Sequence, residues 1–284
     1  MVDCASYLKM NELASKIPLS ERGMDSTEIK KRGHLCLCAP TVCGYSFVRK
    51  EWGRFAVDGF SEIQWNESAF RDVLLPPDLK SFVKSLVNVD RGSNTKLIRD
   101  LISGKGGGCC ILLYGRPGTG KTLTAEAIAE ETRRPLIVIT AGELGIDVTK
   151  VQNKLTKIFE ISKVWDALLL LDEADVLLER RSSNEILRNA LVGTFLRAVE
   201  YQEQVMFLTT NRLEQLDEAL RSRISVAIQY HDLDTEARKR LWSQFLRMAK
   251  VNIVDNLVNE DEYGTSVMTT ENIEFLASKD LNGR

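Results

Sequence analysis

The chain has 284 residues, enough for one large domain or two to three smaller ones, and its 44% hydrophobic and 27% charged content is that of an ordinary globular protein. A formal charge of −2 and a pI near 5.9 argue against a dedicated nucleic-acid binder, which would carry a basic stripe. No apolar run approaches the roughly 20 residues of a membrane helix, and Met1-Val2-Asp3-Cys4 lacks the cationic start and apolar stretch of a secretory signal, so a soluble intracellular protein, cytoplasmic rather than membrane-bound, is expected.

The first segment, residues 1–64, reads as a β-rich leader. Met10–Lys31 is polar, with the texture of a helix and a connection, and Lys30-Lys31-Arg32 is a short solvated cluster. From Leu35 to Trp65, aromatic and β-branched residues recur at short spacing, among them Tyr45, Phe47, Trp52, Phe55 and Val57. Gly44, Gly53 and Gly59 lie between them and read as hairpin turns. The six cysteines are thiols in a reducing compartment rather than a disulfide framework. His34, Cys36, Cys38 and Cys43 lie close together, but C-x-C is shorter than the usual zinc-binding pair and no second pair follows. Leu35 and Leu37 alternate with Cys36 and Cys38, as in a half-buried strand.

Residues 65–232 change to apolar strands alternating with amphipathic helices. Strands are expected at Cys109–Tyr114, Leu136–Thr140, Ala167–Leu171, Val205–Thr210 and Val226–Gln229. Between them, Val148, Val151, Leu155, Ile158 and Phe159 share one helical face, and Leu187, Ala190, Leu191, Thr194, Phe195 and Ala198 share another. Near-continuous Leu/Ile/Val strands separated by helices define an α/β fold: a five-stranded parallel sheet with helices on both faces. The glycine-rich run Ser103–Gly108 is a flexible connection into the first core strand.

Residues 233–284 read as a small, all-helical lid. Asp234 can cap a helix carrying Ala237, Leu241, Phe245 and Ala249, and Thr269 or Thr270 can cap another running to Ser278. The lid looks truncated at Gly283-Arg284.

Chemistry concentrates in the middle segment. Gly115-Arg116-Pro117-Gly118-Thr119-Gly120-Lys121-Thr122 fits G-x-x-x-x-G-K-[ST] after an apolar strand and before a helix. Its glycines let successive N–H groups turn inward onto phosphate, and the positive end of the helix adds to the same spot. Lys121 places a charge against the β- and γ-phosphates, and the Thr122 hydroxyl can ligate Mg²⁺. Leu168–Leu171 then delivers Asp172 and Glu173, 51 positions after Lys121, at the end of a second apolar strand. Asp172 is suited to hold Mg²⁺ through its water shell, and Glu173 to orient and deprotonate an attacking water. A third strand, Val205–Thr210, ends at Asn211, an amide in reach of a γ-phosphate or lytic water. Ala219-Leu220-Arg221-Ser222-Arg223-Ile224 then offers two guanidiniums, and one delivered to a γ-phosphate is worth roughly 10³–10⁵ in rate.

With these pieces together, residues 65–284 resemble the AAA+ ATPases, with the Walker A and Walker B elements at Gly115–Thr122 and Leu168–Glu173. The resemblance implies ATP and Mg²⁺ as cofactors and ATP hydrolysis at the interfaces of a ring of identical subunits, such as a hexamer, acting on a protein partner. It makes Asn211 the first sensor, and Arg223 more than Arg221 the finger that acts in trans. It places Arg284 where a second sensor lies in the lid. Cys36–Trp52, Phe55–Asp58, Arg188–Leu191 and Leu208–Asn211 are similar to a group of filamentous-fungal AAA ATPases. Two departures stand out: Arg116 replaces the usual proline, and Ala141–Asp147 lacks the aromatic residue with which ring remodellers thread substrate. Two other readings use the same residues: a non-hydrolysing, nucleotide-gated interaction module, which the acid pair opposes, and a clamp-loader-like nucleic-acid factor, which the acidic pI opposes.

Overall fold

The computed structural model describes residues 1–10, 39–89, 108–145, 147–178, 186–254, 267–279 and 283. It divides into two compact units, Met1–Gln64 and Trp65–Arg284. Among the described residues, no helix is long and apolar enough to cross a membrane.

In the first unit, β1 (Thr41–Ser46) and β2 (Glu51–Ala56) form an antiparallel hairpin beside a helix, Cys4–Met10. Trp52 meets the rings of Tyr45 and Tyr7 edge-on, at 5.3 and 6.0 Å. Gly44 and Gly53 do not form the hairpin turns expected of them, whereas Gly59 ends the short 3-10 turn Val57–Gly59. Gly44 pairs with Gly53 in mid-ladder, and the turn is made by residues 47–50. The reason at Gly44 is close approach: a Cβ there would lie 2.6 Å from the Met1 carbonyl oxygen. The polar stretch from Asn11 to Lys31, with His34, Cys36 and Cys38, lies outside the described residues.

The second unit is built on β3 (Cys110–Gly115), β4 (Leu136–Thr140), β5 (Leu168–Asp172), β6 (Met206–Thr210) and β7 (Val226–Tyr230), all parallel and ordered β4-β5-β6-β3-β7. Parallel strands have helices over both faces and bury alternate side chains on each. Ile111, Leu113, Leu168, Leu170 and Phe207 accordingly pack with Ile128 and with Val83 and Val87 of the helix Pro77–Val89. Their alternates Leu112, Leu169, Leu171 and Leu208 are just as buried on the other side. The helix Val148–Trp165 buries Val151 and Leu155 as expected, whereas the helix Ile186–Glu200 buries Leu191, Val192, Phe195, Leu196 and Val199 and leaves Ala190 exposed. Three strands run one residue further than the apolar pattern suggests, so Gly115, Asp172 and Tyr230 are the last residues of their strands.

Beyond Tyr230 the all-helical expectation fails. The helices Thr235–Met248 and Thr270–Ser278 are capped by Asp234 and Thr269, but between them β8 (Asn252–Val254) and β9 (Val267–Thr269) form a short parallel pair. Three-residue strands are too short for an alternation pattern to reveal, and their β-branched residues are the only trace they leave.

Candidate active site

The loop Gly115–Gly120 springs from the carboxyl end of β3 and opens the helix Lys121–Thr132. Gly115, Gly118 and Gly120 have φ of 150°, 78° and 94°, backbone that other residues adopt only under strain. At Gly115 sterics add to this, because a Cβ would lie 2.3 Å from the Tyr230 carbonyl oxygen on β7. At Gly120 space is open and only the left-handed turn demands glycine. No side chain caps the helix that begins there, so its first N–H groups and positive dipole end are left to an anion. Tyr230 also donates to Thr124 Oγ1 at 2.6 Å, and Thr124 Oγ1 donates to the Gly120 carbonyl at 2.9 Å, bracing the base of the loop. Burial pushes the Tyr230 phenol up to about 12, so it remains a donor.

Lys121 is only 7% exposed. Its ammonium curls back into the loop and donates to the carbonyls of Gly115 (2.9 Å) and Arg116 (2.7 Å). Thr119 Oγ1 donates to the same Arg116 oxygen at 2.8 Å. The Arg116 guanidinium points outward to Asp232 at 3.0 Å, an exposed pair of little energetic consequence.

At the end of β5, Asp172 Oδ1 accepts from Thr122 Oγ1 at 2.9 Å and from Thr209 Oγ1 at 2.5 Å. Glu173 follows with φ 53°, left-handed, and with an exposed side chain. Its N–H donates to Thr209 Oγ1 at 3.0 Å. Glu126 stands one helical turn beyond Thr122. Desolvation, then the charge of Asp172, raise its carboxyl above the ordinary value. The loop, the hydroxyl and the acids thus meet at one edge of the sheet, where β3, β5 and β6 end.

The remaining candidates divide. Asn211 is exposed just past the end of β6, and the register Tyr114↔Thr210 sets it beside the start of the loop. Arg284 lies outside the described residues; its neighbour Gly283 donates its N–H to the Gly118 carbonyl of the loop at 2.9 Å. Arg223 falls near the opposite edge. Two residues on, Ser225 donates its N–H to the carbonyl of Cys110, where β3 starts, so about 17 Å of strand separates it from the loop. Its guanidinium pairs with Glu200 at 2.9 Å and donates to the Ala219 carbonyl at 2.8 Å, with 29% of the side chain exposed. Arg221 is more exposed and donates to the Leu213 carbonyl at 2.6 Å.

Several contributors escaped the sequence. Thr209, Glu126 and Glu200 sit in no recognisable pattern, and only the run Leu208-Thr209-Thr210-Asn211 hints at the first of them. Arg134 is 1% exposed. It spans from Asp166, through both carboxylate and carbonyl at 2.7 Å, to the Val87 carbonyl at 3.3 Å, and fastens elements behind the site.

A glycine loop with a buried lysine, a hydroxyl and an acid pair at the carboxyl edge of a parallel sheet define a P-loop nucleotide-binding domain. Residues 111–232 match the family described as "ATPase family associated with various cellular activities (AAA)", which places an AAA domain in that part of the chain. Among similar proteins, "ATPase family AAA domain-containing protein 3-B" of Xenopus laevis is 32% identical over 188 residues, 64% of this chain and 30% of that protein. "ATPase family AAA domain-containing protein 3A" of Homo sapiens is 30% identical over 181 residues, 62% of this chain and 30% of that one. The chain therefore spans about 30% of the length of the curated relatives it matches. A chain of the structure titled "Structure of E. coli MS115-1 HORMA:CdnC:Trip13 complex" aligns with a TM-score of 0.49 at 19% identity, over 63% of this chain and 70% of that chain. The named curated relatives are animal proteins, and the narrower likeness to fungal members stays an expectation.

Proposed function

We propose that this domain binds Mg·ATP in the Gly115–Thr122 loop and hydrolyses it, as one subunit of a ring that remodels a protein partner. The observation that carries the reading is the seating of Lys121 Nζ inside the loop, with Thr122 Oγ1 and Asp172 Oδ1 2.9 Å apart beside it. A hydroxyl and a carboxylate are hard oxygen donors of the kind Mg²⁺ takes, and Glu126 adds negative charge at the same place. Thr122 and Asp172 would hold the ion, which would supply positive charge to offset the charge that develops on the phosphates.

The other roles belong to the chain's own groups. Lys121 exchanges its carbonyl partners for phosphate oxygens, while loop N–H groups and the uncapped helix end face the same anion. Glu173 accepts a proton from the water that attacks the γ-phosphorus as the bond to the ADP oxygen breaks. Asn211 orients that water from the neighbouring strand end. Arg223, far from its own loop, serves the nucleotide of an adjacent subunit, with Arg221 beside it, and Arg284 would contact nucleotide from the lid.

The test is a set of three variants. Glu173→Gln retains ATP but loses turnover by a factor of roughly 10² or more. Lys121→Ala loses binding. Arg223→Ala keeps binding and loses turnover by roughly 10³. Phosphate release by the parent no faster than by Lys121→Ala would favour a non-hydrolysing, nucleotide-gated module instead.

A further inference from the structure

We infer that Thr209 is the positioning residue that presents the acid pair; the inference rests on the reading above, in which Asp172 and Glu173 do the chemistry. Register places it. Leu171 on β5 pairs with Leu208 on β6, so the next residues, Asp172 and Thr209, stand side by side where both strands end. Thr209 is 2% exposed. A hydroxyl has one hydrogen to give and lone pairs to receive, and here both capacities are used on the pair. The hydrogen goes to Asp172 Oδ1 at 2.5 Å, and a lone pair accepts the Glu173 N–H at 3.0 Å.

The second bond bears on Glu173's backbone, which is left-handed at φ 53° without being glycine. Such a conformation persists only where the surroundings impose it. It ends the strand at once and starts the helix Ala174–Leu178 behind it. Had Glu173 continued the extended chain, its carboxylate would leave on a face fixed by the strand's alternation. The first bond sets the rotamer of Asp172, whose Oδ1 is held between Thr122 on the loop helix and Thr209 on β6. One hydroxyl thereby fixes the side chain of one acid and the backbone of the next. The adjacent Thr210 has a different task, since its Oγ1 accepts the Arg212 N–H and shapes the following turn.

Thr209→Val keeps shape and burial but removes the hydroxyl, and Thr209→Ser keeps the hydroxyl. Both are made in the full chain, with Thr209→Ala as a second hydroxyl-free variant should valine fail to fold. Without nucleotide, the Glu173 amide exchanges with D₂O at least about tenfold faster in Thr209→Val than in the parent or in Thr209→Ser, reflecting loss of the bond to Oγ1. With Mg·ATP, kcat falls roughly 10–100-fold in Thr209→Val while KM stays within about threefold, and Thr209→Ser stays near the parent. Parent-like exchange and kcat in both hydroxyl-free variants would overturn the inference, and so would an equal loss in Thr209→Ser, which would mean packing alone. Absence of turnover in the parent would instead remove the proposed function on which it rests.

Discussion

Glu126 is exposed on the loop helix, but its partial desolvation and then the charge of Asp172 both favour the protonated form of its carboxyl. A carboxyl with a raised folded-state pKa adds its stability at acid pH and loses it as pH climbs through the raised value. At neutral pH the ionised group therefore weighs against the nucleotide-free fold. Glu126→Gln should raise the melting temperature near pH 7, and the gain should close toward about pH 4, where the parent carboxyl is protonated too. A variant that melts no higher than the parent near pH 7 would contradict this. Residues of this kind separate what is legible in the sequence from what is not. Lys121, Thr122, Asp172 and Glu173 belong to contiguous patterns whose chemistry is written in residue type and order. Thr209 and Glu200 act across strands or helices distant in sequence, and a string of residues does not state register.

Elements behave alike. β3, β5 and β6 are visible in advance because burial on both faces leaves uninterrupted apolar runs. Their ends are not, since Gly115 and Asp172 are polar or small yet still pair in the ladder. The strand pair in the C-terminal segment is too short to signal itself. Arg134 shows the cost of reading only the motif. It follows the loop helix and, fully buried, joins the helix ends at Val87 and Asp166, where Asp166 is the left-handed cap of Val148–Trp165. Arg134→Met leaves those carbonyls without their donor and should destabilise the domain by roughly 2–4 kcal/mol in urea unfolding. A loss under about 0.5 kcal/mol would show that the clamp contributes nothing. Arg134→Lys should also be poor, because an ammonium cannot reproduce the fork that reaches both the carboxylate and the backbone carbonyl of Asp166.

For the whole molecule, the position of Arg223 is decisive. On the proposed function, the side chain that would serve the γ-phosphate lies away from its own loop, and turnover would require a neighbour. It is also held by Glu200 within its own chain. ATP turnover per subunit should accordingly rise with protein concentration and level off as subunits associate. Arg223→Ala should stay flat and low across the same range. Parent activity independent of concentration would place the whole catalytic set within one subunit. On the proposed function, the absence of an aromatic from Ala141–Asp147 would favour remodelling by subunit movement over threading of an unfolded chain. Beneath assembly and catalysis lies the grip of the loop on a triphosphate, and calorimetric titration of Mg·ATP into the folded chain reads it directly. Saturable binding near one nucleotide per chain, abolished by Lys121→Ala, is the outcome expected. A folded parent that gives no heat of association and binds no nucleotide would contradict the account at its root.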